Sequence, residues 1–174
     1  MTNESPPLVD RPEMPDGYGL DVADSFLTWD EVERRLLNAM TYWLASTRPD
    51  GRPHVIPRWG IWLDGRFWYD GSPETRHAQN VESNPSCALH LEDGMAATII
   101  EGTSHRSSPI SEDLGRRISE EYKRKYSGQG YSPEADAWSD AIAGGMRVVT
   151  PKLSLAWSKF PDDVTRFVFA RDET

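Results

Sequence analysis

Apolar positions change period several times along the chain, and each change marks an expected element. Val32, Leu36, Ala39, Met40 and Trp43 recur at helical spacing. Ahead of them, Thr28-Trp29-Asp30-Glu31 has the form of a capping box, with Thr28 as N-cap. The spacing predicts a helix of about four turns. Tyr42 to Thr47 fits either its last turn or a first strand. From there the pattern is that of sheet. Runs at His54 to Leu63 and Phe67 to Tyr69 are rich in aromatic and β-branched residues. Turns at Arg48-Pro49-Asp50-Gly51 and Leu63-Asp64-Gly65-Arg66 bound them, which predicts a three-stranded antiparallel meander. Pro57 has no N–H and belongs at a bulge or facing away from a partner strand. Gly60, between Trp59 and Trp62, predicts a bend or a close approach, and the unbroken apolarity over 59–63 predicts that both faces are covered.

Ser72, as cap, and Pro73, as first helical residue, start a helix that stops before Asn84-Pro85. Strands follow at Cys87 to Leu91 and Ala96 to Thr103, around an Asp93-Gly94 turn. A second helix covers Ser111 to Tyr126, with Leu114, Ile118, Tyr122 and Tyr126 on one face. Residues 127–140 form a polar loop, and Arg147 to Thr150, Leu153 to Trp157 and Arg166 to Phe169 are closing strands. Residues 1–27 are an extended arm, since Pro6, Pro7, Pro12 and Pro15 among acids and glycines oppose any regular element. The remainder, 28–174, reads as a single mainly β domain with helical insertions, a small antiparallel barrel of six or seven strands.

Hydrophobic residues make up 37% of the 174, yet seven Trp, six Tyr and five Phe supply large surfaces for a core. The net charge of −9 argues against nucleic acid and anionic membrane surfaces as partners. No apolar run reaches the ~20 residues of a membrane span, the first residues lack the basic flank of a secretory signal, and the lone Cys87 fits a reducing compartment. The expectation is a cytoplasmic protein.

Charge is uneven. Residues 48–77 hold five Arg against four acids, a net of +1, so the rest of the chain carries −10. An Arg- and aromatic-rich segment in an acidic protein suits an anionic ligand; solvated turn positions are the plainer reading. The expected helix start adds Ser72, Thr75 and Arg76, with His77 next, at a place where free N–H groups and the dipole favour an anion. Hydroxyls plus a guanidinium suit a phosphate monoester; a simple cap and a solvated Arg76 are the alternative. His54, His77, His90 and His105 lack metal-ligand spacing, no nucleotide-binding glycine motif or catalytic triad stands out, and Cys87 fits a buried, inert thiol.

Taken together, DGRPHVIPRWGIW, FWYDGSPETRHAQN, NPSCALHLEDG, EGT and the late AWSKFPDDVTRFVF resemble the FMN-binding split-barrel superfamily of pyridoxamine-5′-phosphate-oxidase-like proteins. Within it the chain is similar to actinobacterial flavin/deazaflavin oxidoreductases. The resemblance implies a six-stranded antiparallel split β-barrel that forms a homodimer, with one cofactor, F420 or FMN, in each of two clefts between subunits. Ile56, Pro57, Arg58 and Trp59 would run along the cofactor ring. Ser72, Thr75 and Arg76 match the family's phosphate-binding stretch, His77 stands where the family has lysine, and Asn80 follows one turn on. Trp157 and Arg166 would line the partner's cleft. The Arg-Leu-His-Asp-Arg signature of true pyridoxamine-phosphate oxidases does not follow Pro151. The implied activity is hydride transfer to or from a small organic substrate, with no side chain assigned as acid or base; the alternative is a non-catalytic flavin-, deazaflavin- or haem-binding storage protein.

Overall fold

The computed structural model describes residues 6–18, 26–139 and 145–170. Helix α1 spans Trp29–Asn38, and both halves of the capping box form: the Thr28 N–H donates to Glu31 Oε2 (2.8 Å), and the Glu31 N–H to Thr28 Oγ1 (3.4 Å). It buries Val32 and Leu36 and ends at an extended Ala39, short of the expected four turns. The competing element wins here. Tyr42–Thr47 is a strand, β2, and the Tyr42 hydroxyl caps the helix by donating to the Leu36 carbonyl.

The other strands are β1 (Leu8–Asp10), β3 (Pro53–Arg58), β4 (Ile61–Leu63), β5 (Arg66–Asp70), β6 (Ser86–His90), β7 (Thr98–Arg106), β8 (Met146–Ala156) and β9 (Thr165–Val168). Helices α2 (Arg76–Ser83) and α3 (Glu112–Tyr126) complete the framework. The sheet is antiparallel in the order β1-β9-β8-β7-β6-β2-β3, with β5 pairing a second stretch of β8 and β4 pairing β5. This open, curled sheet is the split-barrel arrangement. Its inward row runs Ile56, Leu44, Leu89, Ile100, Ser154 and Phe167 across six strands, with all but Ile56 fully buried. Directly opposed residues share a face, so the neighbouring register gives an outward row of Val55, Ala45, Ala88, Glu101, Leu153, Val168 and Leu8.

Four expectations need correction. The strand expected over His54 to Leu63 is broken at Trp59-Gly60, so β3 pairs only with β2, β4 only with β5, and no three-stranded meander exists. The cause lies in α3. The Tyr126 hydroxyl accepts from the Gly60 N–H (3.0 Å) and lies 2.8 Å from its carbonyl, to which Lys125 Nζ also donates at 3.3 Å. Those backbone groups are therefore lost to any ladder. Pro57 is accommodated because β3 is the free edge of the sheet. Second, the strands expected at 147–150 and 153–157 are one strand, β8, with a register shift opposite Glu101/Gly102 absorbing the irregularity. Third, Leu8–Asp10 in the arm does form regular structure: it pairs with β9, and Asp10 receives both Arg166 Nε and Nη2 at 2.7 Å. Fourth, residues 127–139 do not form a merely polar loop. Trp138 is buried against Tyr122, and Tyr131 packs edge-on to the same ring. Among the described residues no helix is long and apolar enough to cross a membrane.

Lys125 is buried on α3 and donates to the Tyr42 hydroxyl at 2.8 Å. Burial first, and Arg124 second, push its pKa down to about 7 from the ordinary 10.5. Between those values the unfolded chain holds a proton that the folded chain has released, so stability rises with pH across that interval, and the penalty is full below about 7. Lys125→Met is expected to flatten this rise, measured as the urea midpoint across the same interval.

Candidate functional site

The candidate site lies where the inward face of β3 meets the start of α2. Strand alternation separates the β3 residues: His54, Ile56 and Arg58 are half-buried, while Pro53, Val55 and Pro57 face out. Arg58 reaches across to the end of β5. Its Nη2 donates to the Asp70 carbonyl, its guanidinium lies 5.6 Å from the Tyr69 ring centroid, and a Cβ on Gly71 would come within 3.0 Å of it. Its Nε is buried with no hydrogen-bond partner. Trp59, beyond the strand end, is 42% exposed and stacks on Tyr126 at 4.9 Å and 13°. Tyr131 lies beside it at 6.2 Å and donates to Asp70 Oδ2, which Trp138 Nε1 also approaches at 3.3 Å. The segment after α3 thus closes the aromatic side of the site.

Helix α2 starts one turn later than expected. Ser72 is not its cap, because the Ser72 hydroxyl accepts from the Glu74 N–H (3.2 Å) and its carbonyl accepts from Thr75 Oγ1 (2.8 Å) and the Thr75 N–H (3.2 Å). This local hydroxyl turn competes with helix. Thr75 becomes the N-cap and makes no side-chain capping bond, which leaves the first-turn N–H groups without one. Arg76 points outward and makes no hydrogen bond or ion pair among the described residues. Burial, then Arg48 and Arg76, lower the pKa of His54, so these three groups share one field.

His77 and Asn80 turn the other way, into the barrel. His77 is buried 6.0 Å from the Tyr69 ring, with Nε2 3.3 Å from Thr75 Oγ1. Burial, followed by Arg58, Arg147 and His54, pushes its pKa down to about 4, so it is uncharged at neutral pH. Asn80 is fully buried and donates to Ser46 Oγ at 3.0 Å, while its Oδ1 has no partner. Positive charge at this turn therefore comes from arginine. Burial raises the Cys87 thiol to about 12, which keeps it protonated and unreactive.

Residues 28–146 match the family model described as pyridoxamine 5'-phosphate oxidase. The chain belongs to this family. Solved structures share the fold at low identity. An F420 reductase superimposes with a TM-score of 0.51 at 18% identity, covering 81% of this chain and 98% of its own. The haem storage protein HutZ from Vibrio cholerae gives 0.53 at 17%, covering 71% and 89%. A conserved hypothetical protein from Mycobacterium tuberculosis gives 0.57 at 22%, covering 86% and 85%. No curated protein matches this chain in sequence.

Within this family member, one chain does not bring Trp157 to the arginine turn. Met146 pairs with Asp70 at one end of β8, while Ala156 pairs with Thr98 and Thr165 at the other. An eleven-residue strand separates them by roughly 33 Å. Trp157 donates to the Gly94 carbonyl at 3.3 Å and packs on Phe160 at 5.5 Å. Arg166 is held by Asp10. Arg48 and His54 were absent from the sequence-based site. The signal was available in the β2–β3 register, which sets His54 opposite Ser46, the residue that Asn80 of α2 also touches.

Proposed function

We propose that the protein is an oxidoreductase that binds F420 or FMN and moves a hydride between that cofactor and a small organic substrate. The observation that carries this reading is Arg76, an exposed guanidinium without a partner among the described residues at the uncapped start of α2, in one field with Arg48 and His54. A phosphoryl group fits this place, because charge-assisted donors and free helix amides complement it at once. The orphaned Arg58 Nε is a further donor on the inward side of β3. Bound there, the cofactor supplies the hydride chemistry. Arg76 and the first-turn amides hold its phosphate, Arg58 places positive charge beside the ring, and Trp59 gives an apolar wall. No side chain is asked to act as acid or base, and oxidation of pyridoxamine phosphate is not part of the proposal.

A homodimer in the cytoplasm is part of the same reading. The outward row is largely apolar from Val55, which is 49% exposed, to Leu153 and Val168. A groove of about 440 Å³ runs along it past Ala45, Ala88 and Leu153. A second copy is its natural cover, and would bring Trp157 to the other subunit's turn. Val55→Glu is expected to give a monomer by light scattering and to lose cofactor affinity with dimerisation.

The decisive experiment is titration of purified protein with FMN, F420 and haem, followed by turnover of the bound cofactor with small acceptors. Binding and turnover of FMN or F420 is the expected result. Haem binding, or a flavin that binds but never turns over, would establish the storage reading instead, which draws on HutZ sharing this fold.

A further inference from the structure

Arg147 stands at the start of β8, directly across the ladder from Arg106 of β7. Opposed residues of an antiparallel pair have Cβ atoms ~5 Å apart on one face, where like charges repel. Among the described residues one carboxylate answers them. Glu82 of α2 accepts from Arg147 Nη2 at 2.7 Å and is itself 56% exposed at its side chain. The Arg147 side chain is 3% exposed, and both its Nε and Nη1 are buried without a partner. Such orphaned donors are costly and uncommon in folded proteins. His105 and Arg106 add to the positive field felt by Glu82. A cavity of about 610 Å³ opens at this point, lined by Pro73, Gln79, Glu82, Arg106 and Arg147.

We propose that this groove between α2 and the β7–β8 hairpin is a second anion site, taking a phosphate-type oxyanion. Glu82 is the internal carboxylate that occupies Arg147 while the site is empty. An arriving oxyanion exchanges with it, and its several acceptor oxygens serve Arg106 and the unused Arg147 donors together. The site goes beyond the cofactor reading and does not use Arg76.

The test is a titration of the ¹⁵N-labelled full chain with inorganic phosphate, read at the arginine Nε–H signals and set against chloride at equal ionic strength. Phosphate is expected to shift the Arg106 and Arg147 signals in the native chain and equally in Arg76→Ala. Arg106→Ala is expected to weaken this response about tenfold, and Glu82→Gln to strengthen it by removing the competing charge. Absence of a shift, an equal shift with chloride, loss of the response in Arg76→Ala, or indifference to both Arg106→Ala and Glu82→Gln would each overturn the proposal. Because Arg76→Ala removes only the first site, failure of this inference is distinguishable from failure of the cofactor reading.

Discussion

Gly102→Ala is expected to destabilise the protein by about 3 kcal/mol or more. Gly102 lies at the register shift between β7 and β8. An added Cβ would overlap the Thr150 carbonyl oxygen and sit 3.0 Å from its carbon and 3.2 Å from Pro151 Cα. All three are backbone atoms of a central strand, so no side-chain rotation relieves the clash. The two strands must separate where the barrel core is continuous. Equilibrium urea unfolding measures the loss. Gly128→Ala is the control: nothing lies within 4 Å of its added carbon, and its stability is expected to stay within ~0.5 kcal/mol of the native value. A Gly102→Ala midpoint equal to that control's would show that the ladder yields without cost.

Arg76→Ala is expected to weaken FMN or F420 binding by about 1.5–3 kcal/mol, roughly ten- to a hundred-fold in Kd, while leaving the unfolding midpoint unchanged. The contrast follows from position. Arg76 is exposed and bonded to nothing among the described residues, so its removal takes no bond between them from the folded state. Fluorescence titration gives the first quantity and urea unfolding the second. An unchanged Kd would remove Arg76 from the phosphate site.

Elements that carry their own local chemistry were legible in the sequence. The α1 capping box, the α3 helix and the Asp93 turn all form where the residues call for them. The failures come from competing partners, some local, as in the Ser72 turn that delays α2, and some distant. The apolar run at 59–63 has the propensity of a strand, but Tyr126 and Lys125, more than sixty positions away, take the Gly60 backbone groups that a strand would use. Likewise α1 stops early because Tyr42 claims the Leu36 carbonyl. At the site, the cluster of arginines in 48–77 was visible as composition. Which members face a common groove was not, since that depends on which row of the sheet each occupies. His54 and Arg58 fall on the inward row with Ile56, whereas Pro57 falls on the other. His77 stands next to Arg76 where the family has lysine, but helical geometry turns adjacent residues about 100° apart, and this one goes inside.

The anchoring of Gly60 by α3 has a consequence for how this scaffold could diversify. The indole at Trp59 and the phenol at Tyr131 owe their placement to a helix and its trailing segment, not to the hydrogen-bonded ladder that makes the barrel. Exchanging that helix and tail as one cassette would replace the aromatic side of the site and the anchor of Gly60 at once, so ligand preference and the packing of β4 and β5 change together in this architecture.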